Sequence, residues 1–314
     1  MNLKEIEYIV KIAEERNVTK AAQKLFLTPS ALNQQLLRIE HEIGTPLFVR
    51  SRKGFELTEA GGIYLSAAKE MLRLKQETYH KLQDISQTHK GSLSIGLPPD
   101  RGAILFSYIY PEFHREYPDI KIHIYEINVR SQQEMIARGE LDLGFMTLTE
   151  NQKTNDEYLT LASEELLLVL PDIHPACQEA KETASSDFPE LELSLLKEEP
   201  FALIHKTSTL RTLVDSTFEQ AGFLPDVLFE TSRFSTMLTM AADRICCGLV
   251  PEFFYQSDRK GLAFFSLPTH PTLNQVVCYK KNSYLSKPAQ YFIKLASDYF
   301  HQSCQTSGKA LKAL

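Results

Sequence analysis

The 314-residue chain lacks the features that would place it in several large functional classes. It has no apolar run approaching the roughly 18 residues that a membrane-spanning helix needs. The N-terminal "MNLKEIEYIVKIAEE" interrupts its apolar residues with charge, unlike a secretion signal, so a cytoplasmic protein with no membrane partner is expected. Five cysteines (Cys177, Cys246, Cys247, Cys278, Cys304) form no CxxC pair and no zinc-like spacing with histidine, so reduced thiols and no metal are expected. The body contains no GxSxG, HExxH, P-loop or GxGxxG, which argues against an enzyme and leaves no expected cofactor.

Positive charge is also scarce. The formal net charge is −6. Residues 1–62 hold nine Lys and Arg against eight Glu, a net of +1, and the remainder carries −7. The surface as a whole does not attract polyanions, so any nucleic-acid contact has to be a local cluster such as "RSRKG" at Arg50–Gly54.

The first sixty residues read as three short helices and a hairpin. Leu3, Ile6, Ile9, Val10 and Ile12 recur at helical spacing, and Asn17 and Thr19 end one helix and cap the next. Ala21, Ala22 and Leu25 make a narrow face that another helix can approach. Thr28 caps a third helix with Pro29 at its first position, where a missing N–H costs nothing. Leu32, Leu36, Ile39 and Ile43 then form a stripe, with Ser30, Gln34, Leu37 and His41 opposite, and Gly44 ends the helix. "PLFVRSRKGFELT" alternates around Lys53-Gly54 as a two-stranded wing would. This pattern is a winged helix-turn-helix, whose second helix enters the DNA major groove. Asn33, Gln34 and Gln35 lie on its early turns, and an amide presents the donor and acceptor that pair with adenine. The alternative is a solvated three-helix domain.

From Glu59 to His89, Ile63, Ala67, Met71, Leu74, Thr78, Leu82 and Ile85 step by four and three, as in a dimerising rod about 45 Å long. An ordinary surface helix is the competing reading. From Ser92 onward, strands and helices alternate, which predicts an α/β body with mainly parallel strands and ligands beyond the strand ends. Helices are expected over Ile104–Tyr117 and Pro288–Phe300, and a strand after Glu164.

Ala21-Ala22-x-x-Leu25, the stretch Ala31-Leu32-Asn33-Gln34-Gln35-Leu36, Glu40, Gly44, Leu47-Phe48-x-Arg50, Leu57-Thr58 and Ala60-Gly61 together carry a resemblance. The chain resembles the LysR-type transcriptional regulators over nearly all of its length. The resemblance implies an N-terminal winged helix-turn-helix, a long linker helix, and an effector domain of two periplasmic-binding-protein-like α/β subdomains. The implied bounds are 1–58 for the DNA-binding domain and 59–89 for the linker. Subdomain I takes 90–164 and 267–302, subdomain II 165–266, and 303–314 form a tail.

The resemblance implies contacts to promoter DNA from Thr28, Pro29, Ser30, Asn33 and Gln34, with Arg50 and Lys53 on the wing. The family's usual Gln-Pro is shifted to Pro29-Ser30, Asn33 replaces a common Ser, and Gln34 a frequent Arg, which favours amide readout. Effector contacts would come from Pro99, Asp100 and Arg101, from Asn128 and Arg130, and from Thr207, Ser208 and Thr209. The implied effector is a small molecule, with an anionic carboxylate favoured. Arg101, Arg130 and Arg233 are candidate partners for it, or solvated rim residues. Thr207–Thr209 also read as the cap of the following helix. A homodimer or homotetramer is implied, joined through Ile63, Ala67, Met71, Leu74 and Leu82. Three alternatives remain: a regulator that responds to oxidation at Cys246-Cys247, an enzyme with a DNA-binding head, and a solute-binding protein without DNA function.

Overall fold

The computed structural model describes residues 2–51, 54–86, 89–184, 186–255 and 259–310, with the backbone alone at 50, 51 and 302–310. The chain divides into two compact units, Met1–Thr88 and His89–Leu314.

In the first unit, helix α1 (Leu3–Glu15) opens on a capping box in which the Asn2 side chain accepts from the Glu5 N–H and the Glu5 carboxylate accepts from the Asn2 N–H. It ends where Arg16 turns left-handed at φ 49°. Helix α2 (Val18–Lys24) is capped by Asn17, which accepts from the Thr19 and Lys20 N–H groups. Thr19 therefore sits inside the first turn, not at the cap, because the turn at Arg16 puts the extended backbone that capping requires at Asn17.

Helix α3 (Pro29–Ile43) is capped by Thr28, starts on proline and ends at Gly44 with φ 80°. Its stripe is buried at Leu32, Leu36 and Ile39 against Ile9, Ile12, Ala21 and Ala22. Ile43 is 43% exposed, beyond the cover of α1 and α2. Ala21 and Ala22 are fully buried, so the small face does admit a close neighbour. Strands β1 (Phe48–Ser51) and β2 (Gly54–Leu57) pair antiparallel, and the Glu40 carboxylate accepts the Leu47 and Phe48 N–H groups, fixing the wing to α3.

Helix α4 (Glu59–Ser86) runs 28 residues, about 42 Å. One face, with Tyr64, Leu65, Ala68 and Leu72, packs on Ile6 and Val10. The seam residues Ile63, Ala67, Met71, Leu74, Leu82 and Ile85 lie exposed on the single chain, Ile63 by 70% and Ile85 by 80%.

The second unit is one nine-stranded sheet with helices on it. In chain order it contains β3 (Gly91–Leu97), α5 (Arg101–Glu116), β4 (Ile120–Glu126), α6 (Val129–Ala137) and β5 (Leu143–Leu148). Then follow β6 (Glu157–Pro171), β7 (Pro200–Ile204), α7 (Thr209–Gln220), β8 (Asp226–Thr231), α8 (Phe234–Ala242) and β9 (Cys247–Pro251). The unit closes with β10 (Leu262–Phe265), β11 (Thr272–Tyr279) and α9 (Lys287–Ala310). The strand order is β4-β3-β5-β11-β6-β9-β7-β8, with β10 also on β6.

Strands are parallel in the two outer groups, β4-β3-β5 and β9-β7-β8, but antiparallel wherever β6 or β11 takes part. This corrects the mainly parallel expectation. The helical crossovers that parallel neighbours need, α5 and α6 in one group and α7 and α8 in the other, lie within the outer groups, and β6 and β11 stand outside them. Strand β6 begins at Glu157, well before Glu164. Its first part pairs with β11 up to Glu165; from Leu166 it pairs with β9, and from Leu168 also with β10.

One core gathers Leu93, Ile95, Ile109, Phe113 and Phe292 under α5 and α9, and another gathers Leu168, Phe201, Val214 and Phe218 under α7. Helix α5 starts at Arg101 instead of Ile104. Helix α9 runs past Phe300 to Ala310, into the segment assigned to a tail, whose residues 311–314 lie outside the described ones. Among the described residues, no helix is long and apolar enough to cross a membrane.

Gly61 and Gly62, adjacent in α4, give opposite expectations. A Cβ at Gly61 would lie 2.0 Å from the Leu47 carbonyl oxygen, a backbone atom that cannot swing aside, whereas a Cβ at Gly62 meets nothing within 4 Å. Gly62→Ala should stabilise by up to about 1 kcal/mol through helix propensity. Gly61→Ala should destabilise by about 1–3 kcal/mol through overpacking. Thermal and urea melts of the two variants check the opposite signs.

Candidate functional site

Two surfaces carry chemistry. The first is the start of α3. Thr28, Pro29, Ser30 and Gln34 are exposed and Asn33 is half-buried, held in place by fully buried Leu32 behind them. The amides therefore stand on a rigid, capped helix with their hydrogen-bonding groups outward. Arg50 lies in β1 opposite Phe55, and its side chain is not described; Lys53 lies outside the described residues.

The second is a cavity of about 110 Å³ in the second unit. Its wall is built where strands end and helices begin, as expected for open α/β sheets. Pro98, Pro99 and Arg101 come from the start of α5, Asn128 and Val129 from α6, and Thr207, Ser208, Thr209 and Leu210 from α7. Ser232 and Phe234 come from α8, Thr147, Ile204 and Pro251 from strands, and Phe254 from the turn after β9. The structure thus brings together Pro99, Arg101, Asn128, Thr207, Ser208 and Thr209 from three separate stretches. Thr147, Ile204, Phe234 and Phe254 were missed by sequence reasoning. Only their positions at the ends of strands and at the starts of the elements that follow could have signalled them.

Asp100 and Arg130 do not reach the wall. The Asp100 carboxylate accepts from the Ser235 N–H at 3.3 Å and its hydroxyl at 3.5 Å, at the first turn of α8. Arg130 and Arg233 are exposed, and Arg233 is the N-cap residue of α8. These two belong to the solvated rim.

Arg101 changes most relative to expectation. It lines the cavity but is only 4% exposed, and its guanidinium pairs with both oxygens of the Glu164 carboxylate at 2.5 and 3.0 Å. Its Nη1 also donates to the Thr147 hydroxyl, and its plane stacks 4.2 Å from the centre of the Phe253 ring. Glu164 in turn accepts from the Phe253 N–H and the Gln275 amide. The charge expected to attract a ligand is already neutralised within the protein. It binds a partner 63 residues away that no local pattern in the sequence reveals.

What remains around the cavity is the positive end of several helices. Asn128 caps α6 by accepting the Ser131 N–H, and Ser208 caps α7 by accepting the Leu210 N–H. The Thr209 hydroxyl donates to the Thr147 carbonyl, which locks the start of α7 against β5. Arg211 is buried and bonds Ile204 O, Glu230 and Asp215, tying α7 to strands β7 and β8. The Arg211 hydrogen bond holds the Glu230 carboxyl below the usual carboxylate range.

The thiols are poorly placed for redox chemistry. Cys246, Cys247 and Cys278 are buried and unpaired, and burial pushes the Cys247 and Cys278 thiols up to about 12, leaving almost no thiolate. Among the described residues, no cluster of His, Cys, Asp and Glu has the geometry of a metal site.

Comparison with known proteins matches both units. Residues 3–62 match the bacterial regulatory helix-turn-helix protein of the lysR family, and residues 86–300 match the LysR substrate binding domain. The chain is 27% identical over 311 residues to the HTH-type transcriptional regulator YcgK of Bacillus subtilis (strain 168), covering 96% of each. It is 28% identical over 305 residues to YwbI of the same organism, covering 95% of this chain and 97% of YwbI. The fold is similar to full-length OxyR from Pseudomonas aeruginosa at a TM-score of 0.69 and 21% identity, covering 95% and 94% of the two chains. The chain belongs to the LysR family of transcriptional regulators, with a helix-turn-helix head and an effector-binding domain.

The buried pair yields a stability test. Arg101→Met leaves the Glu164 carboxylate buried without its cation and should destabilise by about 3–5 kcal/mol. Arg101→Met combined with Glu164→Met removes both charges and should recover part of that loss, the Phe253 N–H and Gln275 amide staying unmatched. Urea unfolding of the single and double variants measures the difference.

Proposed function

We propose that this regulator binds double-stranded promoter DNA as a homodimer or homotetramer in the cytoplasm, and that a small organic carboxylate in its cavity controls it. One observation carries the effector reading: helix starts converge on a small pocket in which Arg101, the one cation among the described lining residues, is already paired. The Asn128 and Thr209 N–H groups and the Ser208 hydroxyl would receive the carboxylate, the Thr207 and Ser208 N–H groups being bonded to His205 and the Thr209 hydroxyl to Thr147, with each helix start favouring a negative charge by about 0.3–1 kcal/mol. Ile204, Leu210, Phe234 and Phe254 would hold the hydrocarbon part.

The size bounds the ligand. A cavity of about 150 Å³ takes benzene, so the 110 Å³ here suits about four to six non-hydrogen atoms. The pocket would lie between subdomain I, residues 90–164 and 267–302, and subdomain II, residues 165–266. A ligand that prefers one degree of closure over another shifts the population of states, and one that binds both equally changes nothing.

On the DNA side, Asn33 and Gln34 would read bases, with Thr28, Pro29 and Ser30 setting the register and Arg50 and Lys53 meeting phosphates. The exposed seam of α4, with Ile63, Ala67, Met71, Leu74 and Leu82, would be covered by a second copy. The raised thiols weigh against a regulator that works by oxidation of Cys246-Cys247.

The DNA half is tested with the gene's own upstream region in a fluorescence-anisotropy titration. Asn33→Ala and Gln34→Ala should each cost about 1–3 kcal/mol of specific affinity and leave binding to a scrambled duplex unchanged. Lys53→Ala should weaken binding to both duplexes alike. Identical behaviour of the amide and lysine variants would overturn this division of roles.

A further inference from the structure

We infer that Arg16, outside the helix-turn-helix and wing residues assigned above, is a DNA-backbone contact that joins the recognition helix to the wing. The inference rests on the DNA-binding reading and adds a residue to it.

Beside the start of α3 the first unit has a concavity of about 450 Å³, lined by Arg16, Asn17 and Thr19, by Pro29 and Asn33 of α3, and by the first residues of β2. It is an open groove on the surface, a shape that admits a length of sugar-phosphate chain. The Thr19 hydroxyl and the Asn33 amide supply hydrogen-bonding groups on two sides of it.

The charge comes from Arg16. Among the described residues of this unit, Lys11, Lys24, Arg38, Arg73, Lys75 and Lys81 each pair with a carboxylate; Arg16, like Lys4 and Lys20, is exposed and makes no such pair, and of these three Arg16 is the one that lines the concavity. In a head of net charge +1, an unneutralised guanidinium beside the recognition helix is a local attractor for phosphate.

The backbone fixes where it stands. The Arg16 carbonyl accepts the Phe55 N–H at 3.0 Å, so the turn between α1 and α2 is bonded to the wing. Gly54, at φ 114°, makes the approach feasible, since a Cβ there would fall 2.5 Å from the same carbonyl oxygen. Arg16 itself is left-handed at φ 49°, an uncommon conformation for a non-glycine residue. The cation therefore moves with both the wing and α3, and a phosphate held there would fix the register in which Asn33 and Gln34 meet base edges.

The test is the salt dependence of full-chain binding to the gene's upstream duplex and to a scrambled duplex, from about 50 to about 200 mM salt. Arg16→Gln should reduce the slope of log affinity against log salt by about 0.9 on both duplexes, the value of one phosphate contact. Arg16→Lys keeps a point charge and should hold the wild-type slope, and thermal melts of both variants should match wild type. An unchanged slope in Arg16→Gln overturns the inference, and so does an equal loss in Arg16→Lys. A wild type that prefers neither duplex contradicts the sequence-specific reading, while the slope on either duplex still decides Arg16.

Discussion

The second unit is organised around the buried pair of Arg101 and Glu164, placed where β6 stops pairing with β11 and starts pairing with β9. Arg101 is the first residue of α5, Glu164 sits at the changeover, Gln275 reaches it from β11, and Phe253 reaches it from the turn after β9. Four separate elements thus meet on one carboxylate and one guanidinium. A buried charge pair contributes little net stability against an apolar replacement, yet loss of one member is costly, so the pair specifies geometry more than it adds strength. It also sets the electrostatics of the cavity. With the guanidinium neutralised, helix starts would set the field at the wall and, on the proposed reading, receive a small anion without the desolvation cost of a free arginine.

The two units use charge differently. In the effector unit, the cation at the cavity wall is matched internally by Glu164, and on the proposed reading binding would be left to dipoles and apolar walls. In the first unit the recognition face presents amides, and most described cations are held by neighbouring carboxylates. Base readout by amides supplies discrimination but little attraction. On the proposed reading, attraction would come from a few cations placed near the groove, and the local position of Arg16 would matter more than the total charge of the head.

Much of the first unit was legible because its signals are local. Thr28, Pro29 and Gly44 announce the recognition helix within the helix itself, and the narrow Ala21-Ala22 face announces close packing. Even there, the cap at Asn17 in place of Thr19 depended on a left-handed turn at Arg16 that composition does not reveal. In the second unit, the loops that line the cavity were legible as strand ends followed by helix caps. The partner of Arg101 was not, because Glu164 lies 63 residues away in a stretch that reads only as the polar edge of a strand. The antiparallel middle was hidden for the same reason: β6 and β11 find each other across more than a hundred residues, and the half-polar start of β6 resembles a loop.

The central claim is that helix starts, and not an arginine, receive a carboxylate in a small, largely apolar cavity. Calorimetry of the full chain with butanoate and with butanamide tests it directly, because the two have the same size and shape and differ in charge. The account predicts that butanoate binds about tenfold more tightly, a difference of about 1.4 kcal/mol, as two helix starts would supply. Equal binding, or tighter binding of the amide, would contradict it.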